Sequence, residues 1–426
     1  MRTPGPCDDV GGMIRDGRRH RPQAAALLAL LLALPGAAGV TAADPASAGL
    51  AERVARAQAL VEAVRGVKFR APVASALLPE RELQPVLSRK LVEDLPVPFD
   101  TYAASLAAVG LVDPAPGLLD RLTRLYTRQV VGFYDPAEKK FYVVPERARD
   151  VAGPAGDLME QLLLAHELTH AYQDERLGLD RRMRALREST DALLALQAFL
   201  EGEATVLMTD ALVRSVPEEA REELGSDPLS QVLDGLDSPD AVEGADGVPD
   251  FFVKELVFPY AAGTAWVRQK KEAGGWAAVD AAYASLPTTT REILRPGANL
   301  RPRRLLSPAD RPGNGEPLGR DATRWHDTLG EWVLATLLER AGAGEEARPA
   351  AAAWQDDRIA FAALAGNEGR IGFLWRIRTT GPAAAKRIAA VLAPFYADRA
   401  DGSRTTVRAK GDLVEVSLPL PPVPAS

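Results

Sequence analysis

The sequence predicts a mostly helical α+β protein, and three observations carry that expectation. Residues 49–66, 118–129 and 157–175 repeat apolar side chains at helical spacing between recognisable start and stop signals. Short β-rich runs flank turn-forming residues at 130–144 and again at 405–418. The composition of the 426 residues, 46% hydrophobic and 26% charged, is that of a globular chain and fits neither disorder, collagen nor coiled coil. Such a length suggests two or three domains with ample chain to bury a core. A net charge of −7 argues against a nucleic-acid partner, which needs a Lys/Arg-rich face to displace counterions from phosphate. With Cys7 as the single cysteine, a disulfide framework and a multi-Cys zinc ribbon are both excluded.

In chain order, residues 15–21 (RDGRRHR) are basic, residues 24–34 (AAALLALLLAL) apolar, and small residues follow to Ala42-Ala43. This is the order of a secretory signal peptide, so residues 1–43 are an export address, with cleavage expected after Ala42 or Ala43. Eleven apolar residues make about 16 Å of helix, short of a ~30 Å hydrocarbon core, and a permanent membrane anchor is the weaker reading. No other segment is expected to span a membrane. Cleavage removes five Arg and three Asp, which takes the net charge from −7 to −9 and leaves no cysteine. The mature chain, periplasmic or extracellular, must then be held by its core, a role in which a bound metal can help.

Residues 49–66 read as a helix ending at Gly66, and Pro72, Pro79, Pro85, Pro96 and Pro98 predict short helices mixed with turns. The helix at 118–129 closes a helical region, 44–129, that is either a propeptide over a cleft or a packed subdomain. A hairpin follows, with strands at 130–134 and 141–144 around Asp135-Pro136-Ala137-Glu138-Lys139-Lys140. The helix at 157–175 has Asp157 at its start and Gly178 beyond its end. A second long helix spans roughly 181–214, and a third, roughly 251–274, is expected to kink at Phe258-Pro259-Tyr260. Residues 305–320, rich in Pro, Gly and charge, read as a linker between a core domain, 130–304, and a C-terminal domain, 321–426. In the latter, a helix at 322–341, strands at 357–364 and 370–378, a helix at 382–397 and a terminal hairpin turning at Lys410-Gly411 make a small α+β unit.

The chemistry concentrates in His166-Glu167-Leu168-Thr169-His170. Four residues turn a helix so that the second imidazole sits about 40° round and about 6 Å along from the first, and both can reach one tetrahedral zinc ion. Glu167 points to the neighbouring edge, where it can take a proton from a zinc-bound water without ligating. Only four histidines exist; His20 leaves with the signal peptide and His326 lies in the other domain. Residues 171–176 (AYQDER) supply no third histidine, which excludes the metzincin pattern. A carboxylate is the natural third ligand, and Glu201 and Glu203 on the next long helix are candidates. They stand about 200° apart, so both cannot face one metal. Gly202 between them implies a close helix–helix approach. Asp174, one turn beyond His170, reads either as a group orienting a ligand imidazole or as a surface charge.

On these residues the chain resembles the gluzincin metallopeptidases, in which a Glu on a helix after HExxH completes the zinc site. There the ligand typically begins an E-(G/A)-x-(A/S) string; Glu201-Gly202-Glu203-Ala204 matches it, and the resemblance implies Glu201. More narrowly, the chain looks like a group of uncharacterised secreted bacterial HExxH proteins, on GFYDP (132–136), HELTHAYQDE (166–175), LEGEAT (200–205), FPYAAG (258–263), GGW (274–276) and LPTTTREILRP (286–296). These cover under half the chain. That group often has His before Pro in the last string, where this chain has Arg295. The resemblance implies a zincin-like core with a small sheet before the active-site helix, and a substrate paired along one of the two hairpin strands. Tyr260, Arg295 and His326 are candidates for stabilising an oxyanion.

The leading expectation is an exported metallopeptidase acting on a peptide or protein substrate, with one Zn2+ on His166, His170 and Glu201 and with Glu167 as general base. Two alternatives stand beside it: a zinc hydrolase of non-peptide amides or esters, and a catalytically silent zinc-stabilised scaffold whose C-terminal domain is the working surface. Nothing calls for a membrane after signal cleavage.

Overall fold

The computed structural model describes residues 45–93, 95–147, 156–218, 242, 244–298, 300, 305, 322–364, 367–399 and 405–420. The signal peptide expected at 1–43 and, apart from Leu305, the linker expected at 305–320 lie outside the described residues. The architecture is α+β and mostly helical, with two small sheets.

Helix α1 (Pro45–Arg65) buries Leu50, Val54, Ala57, Val61 and Val64, a stripe at helical spacing, and stops at Gly66, whose φ of +72° suits glycine. Strand β1 (Ala74–Leu77) and helices α2 (Glu80–Glu93), α3 (Phe99–Val109) and α4 (Leu118–Gln129) lead into the hairpin β2 (Gly132–Asp135) and β3 (Lys140–Val143). Asp135 Oδ1 closes the hairpin by accepting the Ala137 and Glu138 N–H groups. The sheet order is β1-β3-β2, with β1 parallel to β3 and β2 antiparallel to it. β1 has no strand signature in its sequence, Ala-Ser-Ala-Leu, and is extended because β3 offers it a ladder. β3 is buried on both faces. Phe141 and Val143 enter one apolar cluster, with α1, while Tyr142 and Val144 enter the other.

Helix α5 (Gly156–Leu177) carries the HExxH motif. The second long helix is two: α6 (Leu179–Ala185) and α7 (Thr190–Ser215). They separate because Ser189 caps α7, its side chain accepting the Ala192 N–H at 3.3 Å, and Asp327 accepts the Thr190 N–H at 2.7 Å. α7 is, among the described helices, one long and apolar enough to cross a bilayer, which the sequence reading did not single out; 78% of its apolar window is buried inside the protein. Helix α8 (Asp250–Ala282) runs through Pro259 without breaking there; its non-helical residues are Gly274 and Gly275 instead. Packing against α7 outweighs the hydrogen bond that Pro259 cannot donate, whereas Gly275 has a φ of +65° that disfavours any residue with a Cβ.

α7 and α8 cross at two glycines. A Cβ on Gly202 would lie 2.3 Å from the Gly263 carbonyl, and one on Gly263 would lie 1.9 Å from the Ala198 oxygen. Gly202→Ala is therefore expected to destabilise the fold by about 3 kcal/mol or more. A urea midpoint unchanged from wild type would refute so close a crossing.

After α9 (Thr290–Leu294) the chain forms β4 (Ala322–Asp327), α10 (Gly330–Leu338), α11 (Ala347–Ala351), β5 (Trp354–Leu364), β6 (Asn367–Thr379), α12 (Pro382–Ala397), β7 (Thr406–Lys410) and β8 (Leu413–Leu418). The sheet order is β4-β5-β6-β8-β7, antiparallel throughout. Residues 322–327 are thus strand where one helix over 322–341 was expected. Pairing with β5 sets Trp325 on Phe361, rings 5.0 Å apart, and Gly330 at φ +85° separates strand from helix. Buried Asp357 locks that turn, accepting the Leu329 and Gly330 N–H groups and both the Trp354 and Trp375 indoles. One continuous apolar core takes side chains from α2–α4, α7, α8 and this second sheet.

Candidate metal centre

Helices α5 and α7 bring His166, His170 and Glu201 together in the interior, none more than 3% exposed. Glu201 Oε2 lies 3.2 Å from His166 Nε2 and 3.7 Å from His170 Nε2. These separations bracket the ~3.4 Å edge of a tetrahedron with zinc–ligand bonds of about 2.05 Å. His170 Nε2 and Glu167 Oε1 are buried with no hydrogen-bond partner among the described residues. The donor set, its spacing and its unpartnered nitrogen fit a metal ion, so the cluster is a three-ligand site able to hold one.

The charges agree with that assignment. Burial pushes the Glu201 carboxyl up, but the adjacent His170 charge and the hydrogen bond with His166 outweigh it and hold it down at about 2. Burial lowers the His170 imidazole, and Glu201 more than reverses this, raising it to about 9. Glu167 is pushed up to about 8, chiefly by burial, against the pull of His170 and the Tyr134 N–H. Its Oε2 accepts that N–H, from β2, at 3.1 Å.

Glu203 points elsewhere, which decides between the two carboxylates. It accepts from Arg65 Nε at 2.8 Å, from the Tyr283 hydroxyl and from Gln173 Nε2 at 3.0 Å. The residue that orients a ligand is Gln173, which the sequence reading missed in favour of its neighbour. Its Nε2 also donates to the Leu200 carbonyl, so its Oε1 faces His170 Nδ1 at 2.8 Å. An amide oxygen can only accept; in the neutral ring Nδ1 therefore carries the proton and Nε2 turns its lone pair to the centre. A Gln three residues beyond the second His of HExxH was a usable signal, since i and i+3 side chains meet on a helix. Gln173→Leu is expected to weaken metal affinity by about 10–100-fold with the fold retained; chelator competition would measure it, and unaltered affinity would remove Gln173 from this role.

No protein-family model and no curated protein matches the chain. Among solved structures, the chain is similar to one from Chloroflexus aurantiacus described as "a putative hydrolase with a novel fold", at 20% identity and a TM-score of 0.40, over 61% of this chain and 90% of that one. At that TM-score the likeness carries neither fold nor activity across.

Of the remaining candidates, Tyr260 reaches the centre. Its ring stacks on His166 at 6.4 Å and its hydroxyl hydrogen-bonds Glu201. Arg295 does not; its Nε donates to Glu331 at 2.8 Å. The LPTTTREILRP string is a latch: Thr289 and Glu292 form the α9 capping box, Thr290 binds Asp191, and Arg291 and Arg295 bind Glu331. His326 sits on β4 between Trp325 and Asp327, which face the interior cavity described below, so alternation turns it to the other face. Asp174 does not touch a ligand. It accepts the Tyr134 hydroxyl, Lys139 Nζ and the Leu179 N–H, tying the hairpin to the end of α5. β3 is central in its sheet, which leaves β2 as the edge strand beside α5.

Proposed function

We propose that this protein is an exported zinc metallopeptidase of gluzincin type. The observation that carries the reading is the convergence of His166, His170 and Glu201 at tetrahedral spacing with Glu167 beside them. When bound, a zinc ion would supply Lewis acidity towards a carbonyl oxygen and acidify a water in its fourth position. Glu167, steadied by the Tyr134 N–H on Oε2 and unpartnered at Oε1, takes the proton of the attacking water and passes it to the leaving nitrogen. Tyr260, whose hydroxyl burial keeps protonated, donates to the developing oxyanion. The edge strand β2 offers its outer side to an extended substrate. Export rests on the basic, apolar and small-residue order of residues 1–43.

Elemental analysis of the mature protein, beside Glu201→Ala and Glu203→Ala, tests the site. The expectation is about one zinc per chain, lost in Glu201→Ala and kept in any Glu203→Ala protein that folds. Uptake is expected to weaken by roughly tenfold per pH unit as the pH falls below about 9, because the metal must displace the proton that Glu201 holds on His170. Digestion of a peptide library by the zinc-loaded protein then tests the activity. A folded protein that takes up no added zinc would overturn the proposal, and one that binds zinc without cutting any peptide would leave a scaffold or a different hydrolase.

A further inference from the structure

A cavity of about 250 Å3 reaches the centre from the side of Glu201 and Tyr260. It is smaller than the roughly 300–1,000 Å3 of sites for drug-sized ligands, which suits a single side chain better than a cofactor. Most of its wall is apolar, including Phe99, Phe252, Leu256 and Trp325. Into this wall α8 places Glu255. Glu255 thus shares the wall of one cavity with Tyr260, about 7.5 Å along the axis of the same helix, and with Glu201.

Glu255 has no hydrogen bond or ion pair among the described residues. The charge that acts on it is a second carboxylate, Asp327, itself satisfied by Thr190 and the Thr328 N–H. Burial, with Asp327 adding to it, pushes the Glu255 carboxyl up to about 7. A carboxyl kept in an apolar cavity without a donor is costly unless a ligand brings one. Lys90 and Arg187 also line the cavity, as do Tyr102 and Tyr126, on whose hydroxyls the Glu255 charge acts.

We propose that this cavity is a specificity pocket for a lysine or arginine side chain flanking the bond to be cut, its methylenes against Phe252 and Leu256 and its cation on Glu255. The inference rests on the metallopeptidase reading for the word "cut", and on the cavity alone for the binding of a cationic side chain.

Binding tests it without turnover. The zinc-loaded full mature chain carrying Glu167→Gln is titrated with acetyl-hexaalanine amides bearing one lysine at each position in turn, and with the matching norleucine set, which keeps the stem and removes the charge. In at least one register the lysine peptide is expected to bind about tenfold or more tightly than its norleucine partner. Adding Glu255→Gln, which is isosteric, is expected to bring the two within about twofold. Equal binding of lysine and norleucine peptides in every register would overturn the pocket, and so would a lysine preference that survives Glu255→Gln. Library digestion by the wild-type protein separates the two proposals. Cleavage with no preference for Lys or Arg at any position sinks the pocket and keeps the peptidase; selective binding of lysine peptides with no cleavage keeps the pocket and sinks the peptidase.

Discussion

Glu167→Gln is expected to lower peptide hydrolysis by about 10²–10⁴-fold, the usual contribution of a positioned general base, while zinc content and fold stay at wild-type levels. The substitution keeps the shape of the side chain, and the amide oxygen can still accept the Tyr134 N–H that Oε2 accepts at 3.1 Å. What it removes is the capacity to take a proton. Glu167 does not belong to the ligand set, so elemental analysis should still find the metal. The informative pair of measurements is kcat on a cleaved library peptide and zinc per chain on the same preparation. Loss of both would place Glu167 among the groups that hold the metal; retention of both would remove it from the chemistry.

Arg65→Met is expected to destabilise the protein by about 3–5 kcal/mol, the cost of leaving one partner of a buried ion pair behind. Arg65 and Glu203 have fully buried side chains 2.8 Å apart. Arg65 also donates to Asp280 at 2.9 Å and lies over the Trp276 ring at 4.4 Å. Its removal strands Glu203 in the interior with Tyr283 and with Gln173, which links it back towards His170. Adding Glu203→Gln should recover much of the loss, because the uncompensated charge disappears. Urea unfolding of the two single variants and the double variant closes the cycle. A coupling energy near zero would show that the pair is not linked as its geometry states. The same cycle asks whether α1, which supplies Arg65, is part of what keeps the metal helices in register.

Much of this was legible in the residues themselves, wherever the signal is local. The period of apolar side chains placed the helices at 118–129 and 382–397 at the bounds observed, and the hairpin at 130–144 followed from β-rich runs around an Asp-Pro turn. HExxH is local too: one helical turn places His166 and His170 on one side, whatever the rest of the chain does. The errors fall where distant partners decide. β1 and β4 are strands because β3 and β5 pair with them. α8 passes through Pro259 because its packing on α7 outweighs one missing hydrogen bond, and it breaks at Gly274 and Gly275, where no side chain resists. The same division runs through the motifs. Residue types and spacing alone determined that two imidazoles share a helix face with a carboxylate beside them, and that Glu201 and Glu203 face opposite ways. Only the tertiary structure decided which of the two turns to the imidazoles, that Gln173 and not Asp174 orients His170, and that Tyr260 approaches while Arg295 and His326 do not. Each of those choices depends on how α5, α7 and α8 cross, and that crossing is set by contacts between residues far apart in the chain, down to two glycines that let backbones touch.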